Sequence, residues 1–167
     1  MPDVDSALAG TRSAISDLIA AAERTGAAWT SPRAPGKWSP SQVVEHVARA
    51  LEESANVVSG APSKFPTFPS FVRPVVKILF FNRVLKKASF PKAKTIRALD
   101  PADGPATPAD AKKRLESAMA IFERACRNQA LGDRKANSTI FGSVPVEDYA
   151  RFQEIHIRHH QAQIVPR

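Results

Sequence analysis

Four histidines carry the clearest chemical signal in this chain: His156, His159 and His160 fall within five residues, and His46 lies alone far upstream. His156 and His160 are spaced i, i+4, which on an α-helix stacks two imidazoles on one face, one turn apart. That is chelate spacing. If the fold brings His46 to the same place, three neutral nitrogen donors leave coordination positions for water or substrate, the usual composition of an open, reactive metal site. Such a donor set suits zinc, nickel, iron or cobalt.

The neighbouring residues divide less sharply. His159 lies about 60° round the helix from His156 and about 100° from His160, which sets it at the rim or at an interface; a His159 for His160 swap stays open. Gln163, one turn past His160, reads either as the partner of a ligand's distal N–H or as an amide packed at a helix end. Glu53, two turns after His46, is the nearest carboxylate, although a solvated glutamate is the expectation there. Tyr149 reads as a packing residue or as a hydrogen-bond donor across the site. Cys126 belongs to an apolar stripe and reads as core. No catalytic acid or base is assigned.

These residues need helices to position them. Leu8, Ile15, Leu18, Ile19 and Ala22 recur at helical spacing and predict a first helix over about 5–25. Ser39-Pro40-Ser41-Gln42 predicts the start of a second, with Ser as N-cap, Pro at the first position and Gln closing a capping box. That helix runs to about Ser59, with Val43, Val47, Ala50, Leu51, Ser54 and Val58 inward and His46 at the edge of the stripe. Glu45, Arg49 and Glu52 are expected to face water. Thr107-Pro108 opens a third helix with Leu115, Met119, Phe122 and Cys126 as its stripe, and a fourth spans about Pro145 to Ile164. No strand-like alternation persists, so the chain reads as all-α: four long helices in a four-helix bundle, one domain over 1–167 with an insert at 60–107.

The insert is rich in proline and phenylalanine and separates helices two and three as a long crossover. Between Gly60 and Leu99 it carries nine basic residues and no acid, whereas the rest of the chain nets −1. The whole charge excess of +8 therefore comes from one segment. Residues 71–87 predict a helix whose apolar side chains surround most of its circumference, a pattern that fits a helix sandwiched against the body or a partner better than one lying on a membrane. The segment lacks the exposed aromatic and basic interleaving of a nucleic-acid module, so neither nucleic acid nor membrane is expected as a partner. An anionic small molecule drawn to an insert acting as a lid, or as a weaker reading an anionic surface bound through the insert, is the functional alternative to a solvated face.

The joint pattern of Trp38-Ser39-Pro40-Ser41-Gln42-Val43-Val44-Glu45-His46-Val47, then Ile140-Phe141-Gly142, Tyr149, Phe152 and His156-Ile157-Arg158-His159-His160-Gln161-Ala162-Gln163, resembles the DinB-like (YfiT-like) superfamily of metal-dependent enzymes. Within it, the match is to an uncharacterised branch whose fourth helix carries H-x-x-H-H-x-x-Q. The resemblance implies an up-down-down-up bundle, homodimers, and a divalent ion, zinc or nickel before iron or cobalt, on residues that map to His46, His156 and His160. It further implies activation of a low-molecular-weight thiol or a water for transfer, isomerisation or hydrolysis. Pro145, Ser138-Thr139 and Tyr149 depart from frequent Ser, His-Pro and Trp in relatives, changes that touch helix entry and packing and weaken any transfer of substrate.

A single cysteine excludes an internal disulfide or a cysteine-based zinc ribbon and fits a reducing cytoplasm. The N-terminus, with Asp3 and Asp5, lacks the pattern of a secretory signal. Seven glycines form neither G-x-G-x-x-G nor a Walker pattern. The expected function is a hydrolase or thiol-dependent transferase using a divalent metal on a small molecule. The alternative is a non-catalytic, metal-stabilised bundle acting as a binding or dimerisation module.

Overall fold

The computed structural model describes residues 3–164, and these are mostly helical. Helix α1 (Val4–Glu23) starts at Asp3, whose carboxylate accepts from the Ser6 amide. Helix α2 (Pro40–Ser59) starts on the expected capping box: Ser39 Oγ accepts from the Gln42 amide at 3.3 Å, and Gln42 Oε1 accepts from the Ser39 amide at 3.0 Å. Two orphan donors of the first turn are thereby satisfied. The helix stops at Gly60, whose φ of 74° is a left-handed conformation that glycine adopts without a β-carbon clash.

A helical rod follows in the insert, built from α3 (Arg73–Val76), a π-helical turn (Lys77–Phe81) and α4 (Asn82–Lys87). The wide turn sets the adjacent Phe80 and Phe81 toward the same aromatic cluster. Phe81 stacks on Phe152 at 4.9 Å and lies 5.1 Å from Phe141, while Phe80 lies parallel to Phe141 at 6.1 Å. Of the two expected covers, the body supplies one side of the rod only. Phe81 and Val84 are buried, but Phe71 just before the rod, and Val75, Ile78 and Leu79 on it, face outward. A single rod docked along one side cannot bury apolar residues spread over most of its circumference.

Helix α5 (Pro108–Ala130) starts at Thr107, whose hydroxyl accepts from the Asp110 amide, and its stripe of Leu115, Met119, Phe122 and Cys126 is buried as predicted. The connection to α6 (Val146–Ile164) corrects the all-α expectation. Strand β1 (Lys135–Ser138) pairs antiparallel with β2 (Gly142–Pro145), with Ala136 opposite Val144. Ser138 Oγ accepts from the Ile140 and Phe141 amides and folds the turn. Four-residue strands alternate too briefly to give a period-2 signal.

Helix α1 packs against α5 and α6, and α2 packs against the same two, so a shared core forms between them. His46 near the start of α2 and His156 and His160 near the end of α6 meet in this frame, with the insert laid across them. No helix among the described residues is long and apolar enough to cross a membrane.

Candidate metal centre

The structure brings His46, His156 and His160 together. All three are buried, and one ring nitrogen from each lies within 4.8 Å of the others. Nε2 of His156 is 3.2 Å from Nε2 of His46 and 3.0 Å from Nε2 of His160. On α6 this follows from the i, i+4 spacing. On α2 it follows from the packing of Val43, Val47 and Ala50, which turns His46 toward α6.

Two distal nitrogens are held by acceptors. The Leu99 carbonyl lies 2.9 Å from His46 Nδ1 and can only accept, so the proton sits on Nδ1 and the Nε2 lone pair points to the cluster. Gln163 Oε1 lies 2.9 Å from His160 Nδ1 and fixes the same tautomer there. The Gln163 amide nitrogen, 3.4 Å from His159 Nε2, donates in the other direction. Gln163 therefore stands where a ligand's outer partner would stand, not merely as a packed amide.

This donor set fits a cation. Two inward lone pairs face His156 Nε2, and a single N–H on His156 could satisfy only one of them, leaving a buried acceptor without a donor. A positive ion between the three satisfies all. Nitrogens bound at ~2.1 Å to one ion at angles of about 90–109° stand ~3.0–3.4 Å apart, and the separations of 3.2 and 3.0 Å fall in that range. Electrostatics point the same way. Burial lowers the pKa of His46 despite the Leu99 carbonyl. Burial, with His160 and His46 beside it, holds His156 well below the usual imidazole range. Burial and His46 take His160 down to about 3 against the pull of Gln163. All three rings are neutral at physiological pH, the state in which imidazole binds metal.

Two aromatic rings not singled out from sequence wall the cluster. Trp38, just before the α2 cap, lies 4.7 Å from His46 and 6.2 Å from His160. Phe90, from the insert, lies 5.0 Å from His156 and 5.8 Å from His159. Trp38 offered one signal, its adjacency to the cap that positions His46; Phe90 and the Leu99 carbonyl offered none. His159 is half-buried and stays at the rim, with its ring 5.1 Å from His160.

The remaining candidates lie elsewhere. Glu53 is buried, not solvated, and its Oε2 accepts from the Ser63 hydroxyl at 3.1 Å and the Lys64 amide at 2.8 Å, so it latches the start of the insert to α2. Glu45, Arg49 and Glu52 are also corrected: Arg114 of α5 bridges Glu45 and Glu52, and Arg49 binds Glu45 at 2.9 Å, which leaves the group half-buried. Tyr149 is fully buried against Phe81 and Phe152. Cys126 is buried, and desolvation pushes its thiol up to about 12, which removes it as a nucleophile. A cleft of about 320 Å³ is lined by Glu45, Arg49, Glu52, Glu53, Lys64, Ala98 and Arg114, with no histidine among its lining residues.

A family model described as "Protein of unknown function (DUF1569)" matches residues 11–167. No curated protein and no solved structure matches the chain.

Proposed function

Because the chain belongs to the DUF1569 family, whose description names no activity, we propose a function from the site itself: a metal-dependent enzyme acting on a small molecule through one divalent ion on His46, His156 and His160. The reading carries with it a DinB-like (YfiT-like) relationship and an up-down-down-up four-helix bundle. The observation that supports it is the convergence of three buried Nε2 atoms, two of them aimed by acceptors on their far nitrogens. Zinc or nickel suits three imidazoles best. Such an ion lowers the pKa of a bound water toward ~7 or holds a thiolate, which supplies a nucleophile for transfer or hydrolysis.

The chain's own part is to hold and enclose. Leu99 and Gln163 keep His46 and His160 in the tautomer that presents Nε2, and burial keeps protons off all three rings. Trp38 and Phe90 exclude water from two sides and offer flat apolar surfaces to a small substrate. No side chain is assigned as general acid or base.

A second reading, a non-catalytic centre that stabilises a binding or dimerisation module, is favoured by two contacts: His46 is bonded to Leu99 and His156 touches Phe90, so the cluster also pins the insert to the helices. Metal analysis by plasma mass spectrometry on untagged protein tests both. The expected result is one ion per chain in the wild type and none in a His46→Ala, His156→Ala variant. Metal absent even after reconstitution with zinc and nickel overturns both readings. With metal present, His46→Ala separates them: lost thiol-transfer or hydrolase turnover with a modest fall in Tm supports the enzyme, and a large fall in Tm with no turnover to lose supports the structural centre.

A further inference from the structure

The insert presents an apolar ridge that none of the described residues covers. Phe71 is 79% exposed, Val75 53%, Ile78 63% and Leu79 67%. The opposite side of the same rod, Phe81 and Val84, packs into the core, so the exposed residues share the outward side. Side chains this exposed stand proud of the surface and line no groove. The stripe continues past the π turn into cations: Arg83 and Lys86 follow Leu79 at helical spacings of four and seven, and both are exposed.

The segment that carries the ridge has charge of one sign. Between Gly60 and Leu99 there are nine basic residues and no acid. Arg73 and Lys77 are occupied by the backbone carbonyls of Phe68 and Ser143. The other seven are exposed, and none of them forms an ion pair among the described residues. Arg83 and Lys86, exposed at the end of an exposed apolar stripe, complement an anionic interface, where apolar tips enter the boundary between headgroups and acyl chains and cations stay among the headgroups.

We propose that the outward face of residues 71–87 docks this protein on an anionic lipid surface, lying on the bilayer without crossing it. A second copy fits poorly, because a twofold contact through this face would set two acid-free segments against each other. A protein partner would need a complementary groove for a protruding ridge, whereas a fluid interface admits any convex shape. The proposal stands independently of the metal reading.

Co-sedimentation of the full chain with vesicles tests it, using phosphatidylcholine alone and phosphatidylcholine mixed with phosphatidylglycerol. Binding is expected to the mixed vesicles, little to the zwitterionic ones, and to fall as salt rises. Ile78→Asp with Leu79→Asp should weaken it by about tenfold or more with an unchanged circular-dichroism spectrum. Should that variant unfold, Arg83→Gln with Lys86→Gln is read instead, with a smaller loss in the same direction. No binding to anionic vesicles at low salt overturns the proposal, as does full binding by the folded aspartate variant. Equal binding to soluble polyglutamate overturns it in favour of an acidic protein. A dimer in sedimentation velocity that the aspartate variant dissociates overturns it in favour of a second copy.

Discussion

The carbonyl oxygen of Leu99 sits 2.9 Å from Nδ1 of His46, although 53 residues separate them in the chain. The bond belongs to a row of contacts by which one side of α2 holds the end of the insert. Arg49 donates to the Asp100 carbonyl at 3.2 Å, and the Gln42 amide reaches the carbonyls of Pro101 and Ala102. The group that orients His46 is thus itself held by residues of the same helix.

Arg49→Ala should therefore weaken zinc or nickel binding by about tenfold while α2 remains helical. Competition against a chromophoric chelator measures it. Affinity equal to wild type would mean that the segment 99–102 keeps its place without Arg49.

Gln163 and His159 should separate cleanly. Gln163→Ala removes the acceptor on His160 Nδ1, and a loss of about 10- to 100-fold in metal affinity is expected. His159→Ala should retain one ion per chain, since its ring lies at the rim. Metal lost from the His159 variant and kept in a His160 variant would exchange the two assignments.

Stability of the metal-free protein should rise with pH on the acid side of neutrality. The folded pKa values of His46, His156 and His160 are depressed. Below the ordinary histidine value of ~6.5 the unfolded chain therefore binds more protons than the folded one. The loss sets in as pH falls through that value and continues toward about 3, where His160 titrates in the folded state. Urea melts from about pH 7 to about pH 4 should show it, with a shallower slope in His156→Gln. A flat profile would mean that the rings are not buried as described.

Gly104→Ala should destabilise the docking of the insert. A β-carbon at Gly104 would overlap the backbone of Ser41, where the chain is drawn close by the Ser41 hydroxyl and the Trp29 indole, both donating to the Pro105 carbonyl at 2.7 and 2.9 Å. A loss of about 2 kcal/mol is expected in chemical denaturation, and an unchanged midpoint would show that the loop moves aside freely.

Signals confined to one helix were legible. The caps at Ser39 and Thr107 follow from local hydrogen bonding, the stripes of α1, α2 and α5 from periodicity, and the approach of His156 to His160 from spacing. What failed depends on contacts between distant segments. Glu53 and the Glu45–Arg49–Glu52 group were expected in water because their partners, Ser63, Lys64 and Arg114, lie on other elements. Leu99 acts through a backbone carbonyl, which has no identity in a sequence. Phe90 looked like any other phenylalanine of the insert until the fold set it on His156.

The π turn at Lys77–Phe81 sets the phase between the two halves of the rod. It holds one residue more than an α-helix needs, and its wider winding absorbs the rotation of about 100° that this residue would otherwise give everything beyond. Wound as a regular α-helix of the same length, the rod would carry Val84 away from the core and set Arg83 in its place. Removing one residue from these five positions would therefore leave the buried side of α4 roughly where it is, whereas removing one beyond Phe81 would turn that side outward.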